Sequence, residues 1–421
     1  MKLFKSRYFR NVLTLLGSAA AAQVLALLLT PILTRLYTPE AFGFFNAFVG
    51  YSGTMALFLF FSIELAIVRP KSTGNLNRVF GLLVAVGGTV ATLIFITLLF
   101  ESNFYYFIGF DKLFDIKYFV FVGILCAALN IVLTYLVTRL EIFGVYAKTQ
   151  IAFVLGRFTI TIALFYLGAI NYGLVIGFIL PTIINILYLA HKTKLICYKP
   201  NFNRFSLKIT AIKYQDLILF NTPAAIVNSI IVNFPIFYIL KTYGVEVAGL
   251  FGLAYRMILL PVSMVNKAVG QVLYKKFIDK RNDFVYLIKF IFKNVALLSM
   301  SLPVFTILYF FGEEIFVFIF GAKWQMSGEL ASTMSPYIFI SFIVSPLSYY
   351  FVAFDKNKQF TIINIAFLSL LVLSVMLTNK AQVKEFIQLY TFINIFYYLT
   401  VFIVILNGVF RKRRTVNALL D

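Results

Sequence analysis

The sequence predicts an all-α polytopic membrane protein with about twelve transmembrane helices. The chain of 421 residues is 61% hydrophobic and 18% aromatic, and only 13% of its residues are charged. Soluble domains carry about 25% charged residues, because a water-exposed exterior needs polar groups. The apolar residues form long continuous runs, and a helix needs about 20 such residues to cross a bilayer. Continuous runs exclude the short alternating strands of a membrane β-barrel.

Twelve apolar runs divide evenly between the two halves of the chain. Those of the first half are residues 11–34, 42–68, 79–100, 116–138, 149–168 and 172–190. Those of the second half are residues 215–240, 248–274, 286–311, 330–354, 360–378 and 386–408. The longest connections are residues 191–214 and 312–329, which are too short for a soluble catalytic domain. We therefore expect a helical bundle without enzymatic activity.

The basic residues predict the orientation of these helices. The net charge is +21, but Lys and Arg are spread between the apolar runs and do not form one nucleic-acid-binding domain. Placing the N-terminus in the cytoplasm puts most of the 37 Lys and Arg residues on the cytoplasmic side. That distribution is typical of membrane proteins, whose cytoplasmic loops are basic. We expect both termini in the cytoplasm and no nucleic-acid partner.

The same pattern predicts a domain order. Residues 1–190 would form an N-terminal six-helix bundle, and residues 191–214 a basic cytoplasmic linker. Residues 215–410 would form a C-terminal six-helix bundle, and residues 411–421 a basic cytoplasmic tail. Because six spans return the chain to the same side, both bundles enter the membrane in the same direction.

A short repeat supports this division. The stretch LYTPEAFGFF at residues 36–45 is echoed by TYGVEVAGLF at residues 242–251, a separation of 206 residues. Tyr, Glu, Gly and Phe recur at matching positions, and each copy lies between the first two spans of its half. Two parallel six-helix repeats are typical of transporters, in which the substrate path lies between the repeats.

Charged side chains inside the spans are the first candidates for function. Each costs at least about 2.5–3.5 kcal/mol at the bilayer centre and is usually functional or paired. Arg256 and Lys267 are three helical turns apart on one face, separated by roughly 16 Å. Such a cationic stripe would suit an anionic substrate, although contacts with backbone carbonyls would also explain it. Arg157, near the middle of the fifth span, is either a substrate contact or a buried structural partner.

One acid and three amides complete the predicted site. Glu64 is either a coupling carboxylate for H⁺ or Na⁺ or an imperfect partner for Arg69, five residues later. Asn221, Asn228 and Gln23 place amides within spans, where they need hydrogen-bond partners. These partners would be either sugar hydroxyls or neighbouring helices. Nothing in the sequence predicts a metal site or an organic cofactor.

Four stretches of the sequence resemble a known family. They are residues 15–51, IELAIVRPKS at residues 63–72, LAYRMILLPVSMVNKAVGQVLYKKF at residues 253–277, and the basic linker. The chain resembles the polysaccharide flippases of O-antigen and capsule synthesis, in the multidrug/oligosaccharidyl-lipid/polysaccharide (MOP) superfamily. The resemblance implies a V-shaped pair of bundles with a polar central cavity lined by spans 1, 2, 7 and 8. It also implies rocking between inward-open and outward-open states.

The resemblance further implies a substrate and a location. The substrate would be a polyprenyl-pyrophosphate-linked oligosaccharide, carried across the bacterial inner membrane. Arg256, within AYR and before LLP, matches the family position at which an arginine of span 8 contacts the lipid-linked anion. Partners would be membrane lipid, a polysaccharide polymerase and other assembly proteins.

Two alternatives remain open at this stage. A multidrug exporter of the same fold would be expected to have an acidic cavity, whereas basic residues dominate within these spans. An integral-membrane glycan polymerase or glycosyltransferase would be expected to have a large outer loop or an acidic metal motif. Neither feature is present in the sequence.

Overall fold

The fold is almost entirely helical. The computed structural model describes residues 7–99, 113, 115–378 and 382–417, and these residues contain no β-strand. The helices of the first part of the chain are α1 (Arg7–Leu36), α2 (Pro39–Phe60), α3 (Thr73–Leu99), α4 (Lys117–Leu140), α5 (Phe143–Tyr166), α6 (Gly173–Lys192) and α7 (Arg204–Lys213). Those that follow are α8 (Thr222–Tyr243), α9 (Val245–Asp279), α10 (Phe284–Ser299), α11 (Leu302–Phe320), α12 (Gln325–Val344), α13 (Tyr349–Ala353), α14 (Asn357–Thr378) and α15 (Val383–Asn417).

The helices confirm the predicted number of spans. Within the described residues, 11 helical segments are long and apolar enough to cross a membrane, and Ala20–Leu36 is a shorter apolar helix ahead of them. One predicted span corresponds to α10 and α11 together, and another to α12 and α13 together. α7 is the exception, a short polar helix within the predicted linker. The chain is therefore a multi-pass membrane protein.

Both ends of the chain reach beyond the described residues. The predicted basic N-terminus includes Lys2 and Lys5, which lie outside them. Most of the predicted tail is helical, because α15 continues to Asn417, and the last four residues again lie outside.

The helices form two compact units, Met1–Gly249 and Leu250–Asp421. In the first unit, α8 packs against α2, where the rings of Tyr51 and Phe237 stack with their centroids 4.2 Å apart. In the second unit, α11, α12 and α15 pack together, and the hydroxyl of Ser335 donates to the carbonyl of Phe305 at 2.7 Å. The two six-helix bundles were predicted from the sequence repeat and the number of spans, and they stay a prediction.

The second span differs from its prediction. We expected one helix over residues 42–68, but α2 ends at Phe60. Phe61 and Ser62 have positive φ angles of 47° and 58°, and a 3₁₀ turn follows at Ile63–Val68. Left-handed backbone stops an α-helix, because consecutive N–H groups no longer point at the carbonyls one turn back. Glu64 therefore lies in this turn and not in a helical span.

The prediction that residues 312–329 form a connection between two spans was wrong. α11 continues to Phe320, because the run from Ile315 to Phe320 is apolar and supports helix. α11 is kinked at Phe311, where φ is −118° and ψ is 16°, and it ends at Gly321, whose φ is 104°. A 3₁₀ turn at Ala322–Trp324 then leads into α12. Glu313 and Glu314 are consequently helical residues.

The two copies of the repeat adopt equivalent structures. α1 ends at Leu36 and α2 begins at Pro39, whereas α8 ends at Tyr243 and α9 begins at Val245. The starts of α2 and α9 are thus separated by the same 206 residues as the sequence match. In the first copy, the Tyr37 hydroxyl donates to the carbonyl of Thr161 at 2.7 Å, and burial raises the pKa of Tyr37 to about 12.

The first turns of α2 and α9 touch through a reciprocal pair of glycines. A methyl group at Gly43 would overlap the carbonyl oxygen of Val245, and one at Gly249 would overlap that of Pro39. The repeat relates Gly43 to Gly249 and Pro39 to Val245, so one contact is the image of the other. Reciprocity of this kind is what a local two-fold relation between two segments produces. All four residues belong to the first unit.

Candidate substrate and coupling site

Arg157 lies among aromatic rings in the first unit. Its guanidinium carbon is 4.6 Å from the ring centroid of Phe45 on α2 and 5.5 Å from that of Phe178 on α6. The two rings also meet edge to face at 5.9 Å. Cation–π attraction stabilises a guanidinium over such faces where water is scarce. The sequence predicted a cation near the middle of α5 but not these rings.

Glu64 is buried in the 3₁₀ turn that follows α2. Its side chain is 9% exposed, and its Oε2 atom has no hydrogen-bond partner among the described residues. Tyr135 of α4 is an electrostatic neighbour of the carboxyl group. The predicted partner Arg69 is instead exposed, with its guanidinium 5.9 Å from the ring of Tyr214. A buried carboxyl group with an unsatisfied oxygen is suited to gain or lose a proton or to bind a cation.

Arg139 holds the turn around Glu64 in place. Its guanidinium donates to the carbonyl oxygens of Ile67 at 2.9 Å and Pro70 at 2.6 Å. These carbonyls lie at the end of the 3₁₀ turn, where backbone acceptors lack helical partners. Arg139 was not among the residues that the sequence singled out. The signal that could have identified it is an arginine at the end of one span opposite a break in another.

The three predicted amides are less buried than Glu64. Gln23 on α1 is half-buried, whereas Asn221 and Asn228 are exposed. Asn221 ends a π-helical turn at Leu217–Asn221, and Asn228 lies two turns into α8. Exposure leaves both asparagine side chains accessible to a polar ligand.

Sequence analysis missed a polar cluster where α2 meets α8. The hydroxyls of Thr54 and Ser229 are 2.9 Å apart. The Asn233 amide nitrogen donates to the Ser229 carbonyl at 3.0 Å and approaches the Thr54 hydroxyl at 3.4 Å. Hydrogen bonds of this kind join membrane helices, so the cluster fixes α8 against α2. Asn228 and Asn233 are on the same helix, and only Asn233 has these contacts.

Arg256 and Lys267 both lie on α9, in the second unit. Arg256 is half-buried and Lys267 is exposed. The residue before Arg256, Tyr255, neighbours Tyr337 and Tyr390 in the interior of the unit, where the last two rings meet edge to face at 5.6 Å. Pro261 lies between the two cations within α9. The structure therefore places them at different depths on one continuous helix, with tyrosine rings beside the first.

The predicted site residues supply cations, a carboxyl group and amides. In the first unit, a caged guanidinium and exposed amides lie on membrane helices, and a buried carboxyl group lies in the turn after α2. In the second unit, two cations lie on one helix. Within the part of the chain that the structure describes, no group of three His, Cys, Asp or Glu side chains could hold a metal ion.

A family profile matches most of the sequence. The profile describes polysaccharide biosynthesis proteins, and it aligns with residues 32–329. The chain belongs to this polysaccharide biosynthesis protein family. The matched region begins in α1 and ends in α12, so it contains every predicted site residue except Gln23. No curated protein matches the sequence.

Solved structures of the MOP superfamily share the fold. The lipid II flippase MurJ, in an inward closed conformation, superposes with a TM-score of 0.74 at 14% identity, over 92% of this chain and 86% of that one. An inward-facing multidrug resistance transporter of the MATE family gives 0.65 at 14% identity, over 96% of each chain. A MOP superfamily transporter from Pyrococcus furiosus gives 0.56 at 13% identity, over 96% of each chain. At these identities the likeness shows the fold alone.

Proposed function

We propose that this family member is a flippase for polyprenyl-pyrophosphate-linked oligosaccharide repeat units. It would move them across the bacterial inner membrane by alternating access, for the synthesis of a surface polysaccharide such as O-antigen, capsule or exopolysaccharide. The observation that carries the proposal is the match to polysaccharide biosynthesis proteins over residues 32–329, on a fold shared with transporters. The similar structures include a flippase whose cargo, lipid II, is lipid-linked.

The cationic residues support an anionic cargo. Arg256 and Lys267 lie along α9, so a pyrophosphate could pass from one to the other and stay within a region of positive electrostatic potential. Arginine binds phosphate oxygens with two parallel hydrogen bonds, which favours Arg256 as the tighter contact. The polyprenyl tail would stay in the bilayer, where its apolar surface costs nothing to solvate.

The amides and Arg157 have supporting roles in this proposal. Asn221, in the π-helical turn before α8, and Asn228, on α8, are exposed and could hydrogen-bond sugar hydroxyls, and Gln23 on α1 could do the same. Arg157 could contact the cargo or keep α2, α5 and α6 together through its aromatic cage. A polysaccharide polymerase and other assembly proteins would be the natural partners, since they consume the delivered repeat unit.

Glu64 is our proposed coupling residue. The turn that carries it follows a break in α2, and its carboxyl oxygen Oε2 is unsatisfied. Entry of H⁺ or Na⁺ at this carboxyl would remove the cost of a buried charge and thereby favour one conformation over the other. No covalent catalysis is involved.

The proposal is tested by the sidedness of the lipid-linked glycan pool. A strain lacking this gene would be labelled in its polyprenyl-linked fraction, and the outer leaflet probed with a membrane-impermeant glycan reagent. A flippase predicts complete repeat units that accumulate on the inner leaflet and shortened surface polysaccharide. Restoring the gene should return both to the parental state.

The other outcomes identify other functions. Repeat units that reach the outer leaflet but stay unpolymerised would indicate a polymerase. An unchanged pool would overturn the proposal and favour drug export, which the resemblance of the fold to a MATE transporter makes the next activity to assay.

A further inference from the structure

The linker after α6 packs against the start of α3. The backbone N–H of Asn201 donates to the carbonyl of Asn77 at 3.1 Å, and the rings of Tyr198 and Phe80 stack at 5.1 Å. Gly81 allows this approach, because a methyl group there would overlap the backbone of Asn201. The segment is therefore a fixed part of the first unit, and α7 follows it.

A polar cleft lies between these two segments. It has a volume of about 570 Å³, and its lining includes Ser72, Asn75, Arg78, Lys199 and Asn201. Arg78 and Lys199 are both exposed, and no acidic residue lines the cleft. Two cations among hydroxyl and amide donors, without a compensating carboxylate, are the surroundings that an anion with several oxygens requires.

An apolar stripe extends from the same cleft along α7. Phe202, which also lines the cleft, is 56% exposed, and it is followed by Phe205 at 72%, Ile209 at 42% and Ile212 at 55%. The spacing of four and three residues puts Phe205, Ile209 and Ile212 on one face of α7, and Phe202 lies just before the helix begins. The opposite face is packed, since Thr210 is 4% exposed. Contact between water and exposed apolar side chains of this size is unfavourable.

Basic residues border the stripe. Arg204, Lys208 and Lys213 are on its flanks, and residues 192–213 contain no acidic residue. A helix with an apolar face and basic flanks lies in the interface of a bilayer with its apolar side chains among the acyl chains. Basic residues near an anionic surface add electrostatic attraction to this apolar contact. The stripe and its flanks therefore fit a lipid, and a protein partner would not explain the adjoining cationic cleft.

We propose that the cleft and the stripe together bind a phosphate-bearing lipid. Arg78 and Lys199 hold the phosphate, the Ser72 and Asn75 side chains complete its hydrogen bonds, and the hydrocarbon chain lies along Phe202, Phe205 and Ile209. The lipid is an anionic phospholipid of the surrounding leaflet, because the basic flanks of the stripe attract a negatively charged surface. A polyprenyl phosphate is the competing occupant, which the test distinguishes. The site contains neither Arg256 nor Lys267, so it stands whether or not the protein is a flippase.

Native mass spectrometry of the full chain in detergent tests this proposal. The probes are phosphatidylglycerol, a polyprenyl phosphate and inorganic pyrophosphate, each titrated separately. The cleft variant Arg78→Gln/Lys199→Gln should bind phosphatidylglycerol at least tenfold more weakly than the parent chain. The control Lys275→Gln/Lys358→Gln removes two exposed lysines elsewhere and should leave binding unchanged.

A second variant separates a lipid from a free anion. Phe205→Ser/Ile209→Ser keeps the cleft and removes apolar contacts of the stripe. It should therefore weaken binding of the lipid and leave any binding of pyrophosphate unchanged. Weaker binding of polyprenyl phosphate alone, with binding of phosphatidylglycerol unchanged, would overturn the proposal and assign the cleft to the polyprenyl lipid. Equal lipid binding by the parent chain and the cleft variant would overturn the proposal, as would binding of pyrophosphate alone. Thermal unfolding of each variant verifies that it is folded.

Discussion

Arg157 shows how a cation can be stable within membrane helices. Its guanidinium faces the rings of Phe45 and Phe178, which come from α2 and α6, while Arg157 itself is on α5. The contact therefore joins the consecutive helices α5 and α6 to α2, which is distant from both in sequence. Cation–π pairs contribute about 0.5–1 kcal/mol when exposed and about 2 kcal/mol when desolvated.

A double-mutant cycle between Arg157 and Phe45 should measure this contact. We expect Arg157→Gln and Phe45→Leu each to destabilise the protein, with a coupling free energy of about 0.5–2 kcal/mol. Thermal unfolding of purified protein in detergent is the measurement. The control pairs Phe45→Leu with Lys293→Gln, an exposed lysine of α10. Strictly additive effects in both cycles would mean that Arg157 is stabilised by other groups.

Arg256 is the residue whose loss should damage transport most. Hydrogen bonds to charged groups contribute about 1.5–3 kcal/mol, so Arg256→Gln should reduce the rate of repeat-unit delivery by about tenfold or more. Arg256→Lys keeps the charge but not the paired donors and should retain intermediate activity. The assay is complementation of a deletion strain, with delivery to the outer leaflet normalised to the amount of protein.

Lys293→Gln is the matched control for that experiment. It removes one exposed positive charge from α10 and should leave delivery unchanged. Normal delivery by Arg256→Gln, at parental expression, would remove Arg256 from the substrate path.

Among elements, α2 illustrates what sequence patterns cannot reveal. The run from Phe42 to Val68 is mainly apolar, with Glu64 as its only charged residue, and it contains neither proline nor glycine near the break. The left-handed pair Phe61 and Ser62 is instead accommodated by tertiary contacts, such as the hydroxyl of Thr222, which donates to Ser62 at 3.1 Å. Contacts between segments so far apart in the chain leave no local signal. The break at Gly321, by contrast, follows from a glycine that ends α11.

The glycine pair in α2 and α9 yields a prediction for whole elements. Gly43→Ala and Gly249→Ala should each force the first turns of these helices apart, because the added methyl group would overlap a carbonyl oxygen. We expect a lower unfolding temperature and reduced delivery for both variants. Since the two contacts are reciprocal, the two substitutions should have similar effects.

Gly53→Ala is the control for the glycine pair. Gly53 is also on α2, but nothing lies within 4 Å of an added methyl group. Alanine is favoured over glycine inside a helix by roughly 0.5–1 kcal/mol, so this variant should be as stable as the parent or slightly more stable. A Gly43→Ala protein with parental stability and delivery would show that the close approach is not needed.

For the whole molecule, composition and run length were sufficient to predict twelve spans. Each span is a local property, because a helix in lipid must satisfy its own backbone hydrogen bonds. Which helices pack together in each of the two units could not be predicted in the same way. α8 belongs to the first unit through contacts of Tyr51, Thr54 and Gly50 with its residues, and such packing depends on shape, which periodicity does not encode. The presence of Arg157 within a span could be predicted from the sequence, but the aromatic rings around its guanidinium could not.

The orientation of the molecule can be measured with its own cysteines. Cys197 is exposed in the basic linker, and Cys126 is buried in α4. If the linker is cytoplasmic, a membrane-impermeant maleimide should label Cys197 in inverted inner-membrane vesicles and not in intact cells. Cys197→Ser should abolish the signal, and Cys126→Ser should leave it unchanged.

The result also bears on the repeat and on the lipid site. Because Cys197 lies between the sixth and seventh spans, its label reports the side on which both predicted repeats begin. Labelling from the cytoplasmic side places Arg78, Lys199 and the α7 stripe at the leaflet where anionic phospholipid and newly made polyprenyl-linked glycan meet the protein. Labelling in intact cells would mean that every loop lies on the side of the membrane opposite to the predicted one. It would require the cargo to encounter Lys267 and Arg256 in the opposite order, and it would contradict the distribution of basic residues from which the orientation was predicted.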